Sequence, residues 1–322
     1  VERIFAACSP GLEPTLAAEL GALGLVARPV PGGAEAEGED AVAVACLGSR
    51  AADAVLLRLW EGPESDATAG RREAQRLAGT QAELTMRRDA GRLVISLDAA
   101  GSPLFKRGWR ARVGAAPLRE TLAAGILLAC GFDGSRPFLD PMCGSGTFAI
   151  EAALIAGRRA PGLGRSFAFE SFPRHDAERT ARVRARLAAL ARPIGIAIHA
   201  SDKNAGALRL AQKNAAEARV ADAIRFERLD AADAAVPDVP GLCAVNPPYG
   251  IRLDTETAGS WRSLAALLPR LPGWEVAVFA PEHGYEKLLP PPTSADLQLR
   301  NGGIRCRLLR YHLDPQSKGG PA

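Results

Sequence analysis

Asn246-Pro247-Pro248-Tyr249 ends the apolar run Leu242–Val245 with two prolines side by side, residues that cannot donate to a sheet ladder. Both rings fix φ, and Pro248 pushes Pro247 toward an extended backbone, so the Pro247 carbonyl becomes a stiff acceptor. Beside it, the side-chain oxygen of Asn246 is a second acceptor. Two acceptors at this spacing suit the exocyclic amino group of a nucleobase, whose lone pair is delocalised into the ring and whose nitrogen is therefore a poor nucleophile. Hydrogen bonds to both would orient that nitrogen and stabilise the positive charge that develops on it during attack on an electrophilic carbon. Tyr249 offers a flat face on which an extruded base can stack. Taken alone, the four residues also fit a plain turn with a packed tyrosine, so their neighbours decide between the two.

A second motif lies upstream in "FLDPMCGSGTFAIEAALIA", where Asp140 stands at a strand end, followed by Gly144 and Gly146 and then a helix. The glycines permit a sharp turn and close approach of backbone to ligand, and the helix start presents unpaired N–H groups. Gly144 to Ala149 also satisfies a dinucleotide fingerprint, which brings a nicotinamide dehydrogenase into consideration. Against that, no strand-end acid comes about 20 residues on; the next is Asp202, after a long arginine-rich insertion. An acid at Asp140 would repel a pyrophosphate, whereas it suits a cationic ligand such as the ammonium of S-adenosylmethionine. Asp202 then suits ribose hydroxyls and Asp230 an adenine amino group. Each of these acids has a plainer reading as a helix N-cap. Three in order, after three successive strands, favour the ligand.

The elements that must position these residues are legible in the hydrophobic pattern. From about Ala111 the chain alternates strands ("RPFLD", "IGIAIHASD", "AIRFERLD", "LCAVN", "WEVAVFA") with helices ("TFAIEAALIAG", "AGALRLAQKNAAEA", "GSWRSLAALLPRL"). That alternation predicts an α/β fold with a mostly parallel, Rossmann-like sheet, and the alternating runs around Asn301-Gly302 predict a C-terminal antiparallel hairpin. Residues 1–110 read as a small α+β module: a strand at "RIFAAC", a helix at "GLEPTLAAELGAL", a Gly/Glu-rich break, a helix at "SRAADAVLLRLW", and a hairpin around Asp89-Ala90-Gly91. The polar stretch from Glu61 to Thr80 tolerates a helix but has little to bury. The domain division expected is 1–110, then 111–314, with a disordered tail at 315–322.

Composition bounds the class. An apolar fraction of 47% over 322 residues supports substantial cores, and no run of about 18 apolar residues suggests a membrane span. A cytoplasmic protein is expected. Six scattered cysteines and four histidines show no paired spacing, so neither a disulfide framework nor a metal site is expected. Net charge is +4, unevenly spread: residues 1–110 hold 13 basic against 15 acidic side chains, and Arg158 to Arg192 holds nine arginines against three acids. That stretch is either a solvated helix face or a phosphate-binding patch, with Arg158, Arg159, Arg165 and Arg174 as candidate RNA contacts.

"FKRGWR", "APLRETLAAGILL", the Asp140 to Gly146 loop, "APGLGRSFAFE", "SDKNAGALRLAQKNA", "NPPYGIRL" and "LRNGGIRCRLLRYHL" together resemble the bacterial THUMP-associated rRNA guanine-N2-methyltransferases, the 23S rRNA large-subunit type in particular. The resemblance covers roughly Leu104 to Leu313. It implies a class I methyltransferase fold, S-adenosyl-L-methionine as cofactor, and methylation of the exocyclic N2 of a guanine in 23S rRNA. It implies a cofactor site at Asp140, Cys143, Gly144, Gly146, Thr147, Asp202, Asp230 and Asn246, with Pro117 near the methionine end, and a base clamp at Asn246, Pro247, Pro248 and Tyr249. The first residues resemble the family's ferredoxin-like opening, but the interval from Trp60 to Val94 is too short for a complete THUMP domain, so RNA capture falls to the remnant, the arginine-rich stretch or a partner. Alternatives are tRNA guanine N2, DNA adenine N6, and a non-catalytic RNA-binding protein.

Overall fold

The computed structural model describes residues 1–79, 83–89, 91–110, 118–248, 255–285 and 287–315. In chain order its elements are β1 (Glu2–Ala7), α1 (Glu13–Ala22), β2 (Val26–Val30), β3 (Gly33–Gly38), α2 (Ala41–Gly48), β4 (Ala54–Pro63), α3 (Ala67–Ala78), β5 (Leu84–Asp89) and β6 (Arg92–Asp98). Then come α4 (Glu120–Ala129), β7 (Phe138–Asp140), α5 (Thr147–Ala156), α6 (Ala177–Ala188), β8 (Ile198–Ser201), α7 (Ala205–Glu217) and β9 (Arg225–Glu227). The chain closes with β10 (Leu242–Val245), α8 (Thr255–Leu267), β11 (Glu275–Pro281), β12 (Ser294–Asn301) and β13 (Ile304–His312).

Two compact units result: Val1–Arg107 with Ala160–Ala191, and Gly108–Arg159 with Arg192–Ala322. The division expected at residue 110 is therefore amended, because residues 160–191 fold with the first unit. The Gly162 N–H donates to the Leu47 carbonyl at 2.9 Å, and α6 buries Thr180, Val183 and Leu187 there, exposes Arg179, Arg182 and Arg186, and turns Arg184 onto the Leu163 and Arg165 carbonyls and Glu170. The tail from residue 316 onward lies outside the described residues.

The first unit is a six-stranded antiparallel sheet of order β2-β3-β1-β4-β6-β5. Its first half, βαββαβ, departs from the sequence reading in three places, the first being strand β2, which was not expected. The Gly/Glu-rich break is strand β3: "GAEAEG" alternates buried Ala34 and Ala36 with outward Glu35 and Glu37, a period of two that small residues disguise. The helix expected over Ser49 to Trp60 is instead α2 upstream, buried along its whole length, followed by strand β4. A short apolar run such as "AVLLRLW" does not declare its period, and pairing with β1 on one side and β6 on the other makes it a strand. The polar stretch after it does hold a helix, α3, which buries a stripe of small residues, Gly70, Ala74 and Ala78.

The second unit is the mostly parallel sheet, of order β12-β13-β11-β10-β7-β8-β9, with β11 through β9 parallel and β13 and β12 antiparallel at one edge. β10 sits centrally between β11 and β7, and all four of its residues are at most 1% exposed. Burial on both faces explains its unbroken apolar sequence. At about 1.5–3 kcal/mol per large aliphatic side chain, this strand is a firm base for the turn at its carboxyl end.

Candidate active site

The glycine loop leaves the carboxyl end of β7. Gly144 and Gly146 have φ of 53° and 84°, where a side chain is strained, and a Cβ on Gly146 would lie 3.0 Å from the Ala211 Cβ of α7. Neighbouring elements tie the loop down. The Gly144 N–H donates to Asp202 Oδ2 at 2.9 Å, the Asn214 amide donates to the Ser145 carbonyl at 2.9 Å, and the Gly146 N–H closes on the Cys143 carbonyl at 2.7 Å. Thr147 opens α5, and its hydroxyl accepts from Arg110 at 2.9 Å. Cys143 is buried, which pushes its thiol well up, assisted by the carboxylates of Asp140 and Asp202.

Asp140 ends β7 with 1% of its surface exposed, and its Oδ1 is buried with no hydrogen-bond partner among the described residues. Burial raises its carboxyl well above the ordinary carboxylate range; the Met142 N–H opposes the rise, nearby Asp202 adds to it, and the Ala149 N–H opposes it again. Asp202 lies just past β8, and besides Gly144 it accepts the Asn204 N–H at 2.8 Å. Asn204 in turn caps α7 by accepting from Gly206 and Ala207. Each Asp202 oxygen keeps a second lone pair for a ligand. Asp230, beyond β9, caps the short turn Ala231–Asp233 through the Ala232 N–H at 3.1 Å. The plain capping role and a position on the cavity wall thus coexist in one residue.

A cavity of about 430 Å³ opens at the carboxyl ends of these strands, and its wall includes Gly144, Asp202, Asp230, Asn246 and Pro248. The volume lies in the range of small-ligand pockets. Asn246 contributes a side-chain Oδ1 that is buried and has no donor among the described residues. After it, Pro247 is buried, Pro248 is exposed, and the Pro248 carbonyl accepts the indole N–H of Trp261 at 3.1 Å. Trp261 is 1% exposed and stacks on Tyr285, with ring centroids 5.7 Å apart and planes 17° from parallel. Two buried acceptors without donors, a glycine loop and a rigid proline turn fit the nucleoside cofactor and amine substrate expected from the sequence.

Of the site residues expected, the structure brings Gly144, Asp202, Asp230, Asn246 and Pro248 to one cavity and sets Asp140, Cys143, Gly146 and Thr147 in the loop that bounds it. Pro117 and Tyr249 lie outside the described residues. Lys203, Thr257, Ser260 and Trp261 escaped the sequence reading. Lys203 donates to Ser260 at 3.1 Å across the cavity wall; its place directly after Asp202 was a signal, while the α8 residues carried none beyond helical periodicity. The four candidate RNA arginines fall in different units, Arg158 and Arg159 in the second, Arg165 and Arg174 in the first. Arg158 and Arg174 are exposed. Arg159 bonds the Arg219 carbonyl, and Arg165 commits its guanidinium to Ser102 and Leu104 while covering the Phe167 ring at 5.0 Å.

The profile of the RMKL-like methyltransferase domain matches residues 107–310, and that of the RlmL ferredoxin-like domain matches residues 3–56. The chain is 35% identical over 234 residues to the ribosomal RNA large subunit methyltransferase K/L of Vibrio campbellii. That stretch is 70% of this chain and 33% of the relative, so the chain spans about a third of the curated protein's length. Among solved structures, a predicted N6-adenine-specific DNA methylase from Listeria monocytogenes superimposes with a TM-score of 0.84 at 27% identity, covering 97% of this chain and 96% of that one. SMU.472, a candidate methyltransferase complexed with SAH, gives 0.85 at 24% identity over 97% and 98%. TrmN from Thermus thermophilus gives 0.67 at 20% identity over 97% and 100%. The last two show a shared fold.

Proposed function

The chain belongs to the RMKL-like methyltransferase family, and from that premise we infer that it methylates the exocyclic N2 of a guanine in 23S rRNA with S-adenosylmethionine as donor. When bound, the cofactor supplies an electrophilic methyl group on a sulfonium. The protein supplies the rest. Asp140 faces the cofactor's cationic end, the glycine loop lets the backbone approach it, and Asp202 and Asp230 offer acceptors to ribose and adenine. Asn246 and the proline turn hold the target amine in line with the donor.

The observation that carries this reading is the Asn246 Oδ1, buried on the cavity wall beside the glycine loop with no donor among the described residues. A buried acceptor left unpaired costs about 1–3 kcal/mol, so its retention makes sense if a substrate N–H fills it. The family match and the 35% identity to an rRNA methyltransferase support the choice of RNA. In this reading the protein works in the cytoplasm, with RNA as its partner and Arg158 and Arg174 as its exposed phosphate contacts.

The test is nucleoside mass spectrometry of rRNA from cells with and without the gene, beside purified protein given labelled cofactor and 23S rRNA, tRNA or DNA. N2-methylguanosine lost from 23S rRNA of the deletion strain is the expected result. A second reading, DNA adenine N6, draws on the likeness to the Listeria protein and on the fact that an Asn-Pro-Pro clamp accepts any exocyclic amine. N6-methyladenine in treated DNA, with rRNA unchanged, would replace the first reading by the second.

A further inference from the structure

Arg110 stands just after the tryptophan of "FKRGWR", and its side chain is only 9% exposed. Its Nε donates to Glu120 Oε1 at 2.8 Å, and its Nη2 donates to the Leu118 carbonyl and to Thr147 Oγ1, both at 2.9 Å. Glu120 is the first residue of α4 and Thr147 the first of α5. One guanidinium thereby joins the chain before α4, the start of α4 and the helix that leaves the glycine loop. A structural staple accounts for those three bonds. It does not account for Nη1, which is buried and has no partner among the described residues.

Leaving a charged donor buried and unpaired is expensive, more so than a neutral one. The opposite case stands close by. The backbone N–H groups of Met142 and then Ala149 oppose the rise of the Asp140 carboxyl, Ala149 lying in the same first turn of α5 that Arg110 reaches through Thr147, and its Oδ1 has no donor among the described residues. An unpaired cationic donor and an unpaired carboxyl oxygen, which ionises when it meets a cation, thus flank one helical turn, a pattern that matches the carboxylate and ammonium of an α-amino acid.

The geometry points to Arg110 as the residue that receives the α-carboxylate of the cofactor's methionine end, with Asp140 facing the ammonium. This rests on the proposed cofactor. Arginine suits the task because its planar fork can keep Glu120 and Thr147 while a further N–H meets a second anion, which a lysine ammonium cannot do at two separated places.

The test is calorimetric binding of S-adenosylmethionine and of decarboxylated S-adenosylmethionine, which keeps the amine and lacks the carboxylate. In Arg110→Lys, which retains a positive charge for Glu120, affinity for S-adenosylmethionine falls about tenfold to a hundredfold, the size of a lost charge-assisted hydrogen bond, while affinity for the decarboxylated compound stays within about twofold. Equal loss for both ligands, or loss for neither, overturns the assignment. If Arg110→Lys gives no cooperative melt, the double substitution Arg110→Gln with Glu120→Gln removes both buried charges together and takes the same readout. If that also fails to fold, the wild-type ratio decides: discrimination of about tenfold or more against the decarboxylated ligand supports carboxylate recognition here, and equal affinity overturns it. A wild-type protein that binds neither compound would sink the cofactor reading itself, a result distinct from failure of the Arg110 assignment.

Discussion

The indole N–H of Trp261 donates to the carbonyl of Pro248 at 3.1 Å, so helix α8 holds the proline turn from behind while Asn246 faces the cavity. Trp261→Phe keeps an aromatic ring against Tyr285 and removes the donor. The lost bond and reduced packing predict a destabilisation of about 1–2 kcal/mol in urea unfolding. The turn also loses its fixed aim, so kcat falls while KM for the nucleic acid changes little. A shifted unfolding midpoint with unchanged kcat would reduce the bond to a structural one.

Asn246→Ala removes one of two acceptors for the target amine without touching the glycine loop. Turnover drops on the order of 10²-fold, the usual scale for one lost positioning or charge-stabilising group, and calorimetric affinity for S-adenosylhomocysteine is unaltered. Loss of that affinity in proportion to turnover would make Asn246 a cofactor ligand and leave the base clamp without its acceptor.

Asp202→Ala acts on the other half of the site. Its carboxylate accepts the Gly144 N–H at 2.9 Å and the Asn204 N–H at 2.8 Å, so the variant frees the loop as well as removing a ribose acceptor. Cofactor affinity falls at least about tenfold, equivalent to one charge-assisted hydrogen bond. Asp202→Asn, which keeps one acceptor for the loop, recovers part of it. Calorimetry on the two variants separates loop order from direct contact, and unchanged binding in Asp202→Ala removes the residue from the cofactor site.

The parallel sheet was legible because its central strands β10 and β11 are buried and spell apolar runs, "LCAV" and "VAVFA", closed by Asn246 and Pro281. Placing chemistry at their carboxyl ends is then a matter of topology alone. β3 was missed because Ala34 and Ala36 are too small to mark a buried face, and β4 because its register bulge between Arg58 and Trp60 breaks the alternation that announces a strand. The docking of residues 160–191 into the first unit depends on contacts such as Gly162 with Leu47, more than a hundred residues apart, which no local pattern encodes. Trp261 and Arg110 were illegible for the same reason. Both read as ordinary apolar-face or surface residues until the fold brings a Pro248 carbonyl to one and Thr147 and Glu120 to the other.

Asp140 gives a pH dependence with a definite sign. An unfolded aspartate ionises near pH 3.9, whereas in the fold burial holds this carboxyl well above that value. Between the two pKa values the folded protein keeps a proton that the unfolded chain has lost, so folding stability declines as pH rises through that window and Asp140→Asn abolishes the decline. Ligand binding runs the other way. Only the ionised carboxylate pairs with the ammonium of S-adenosylhomocysteine, so binding inside the window expels the proton and affinity increases with pH up to the folded-state pKa. Calorimetry in two buffers of different ionisation enthalpy counts that proton directly. The expected result is proton release in the wild type, none in Asp140→Asn, and a weaker, pH-independent affinity in the variant. A wild-type affinity that stays flat across the window, with no proton expelled, would mean that the unpaired Oδ1 meets no cation and that the loop recognises its ligand through backbone contacts alone.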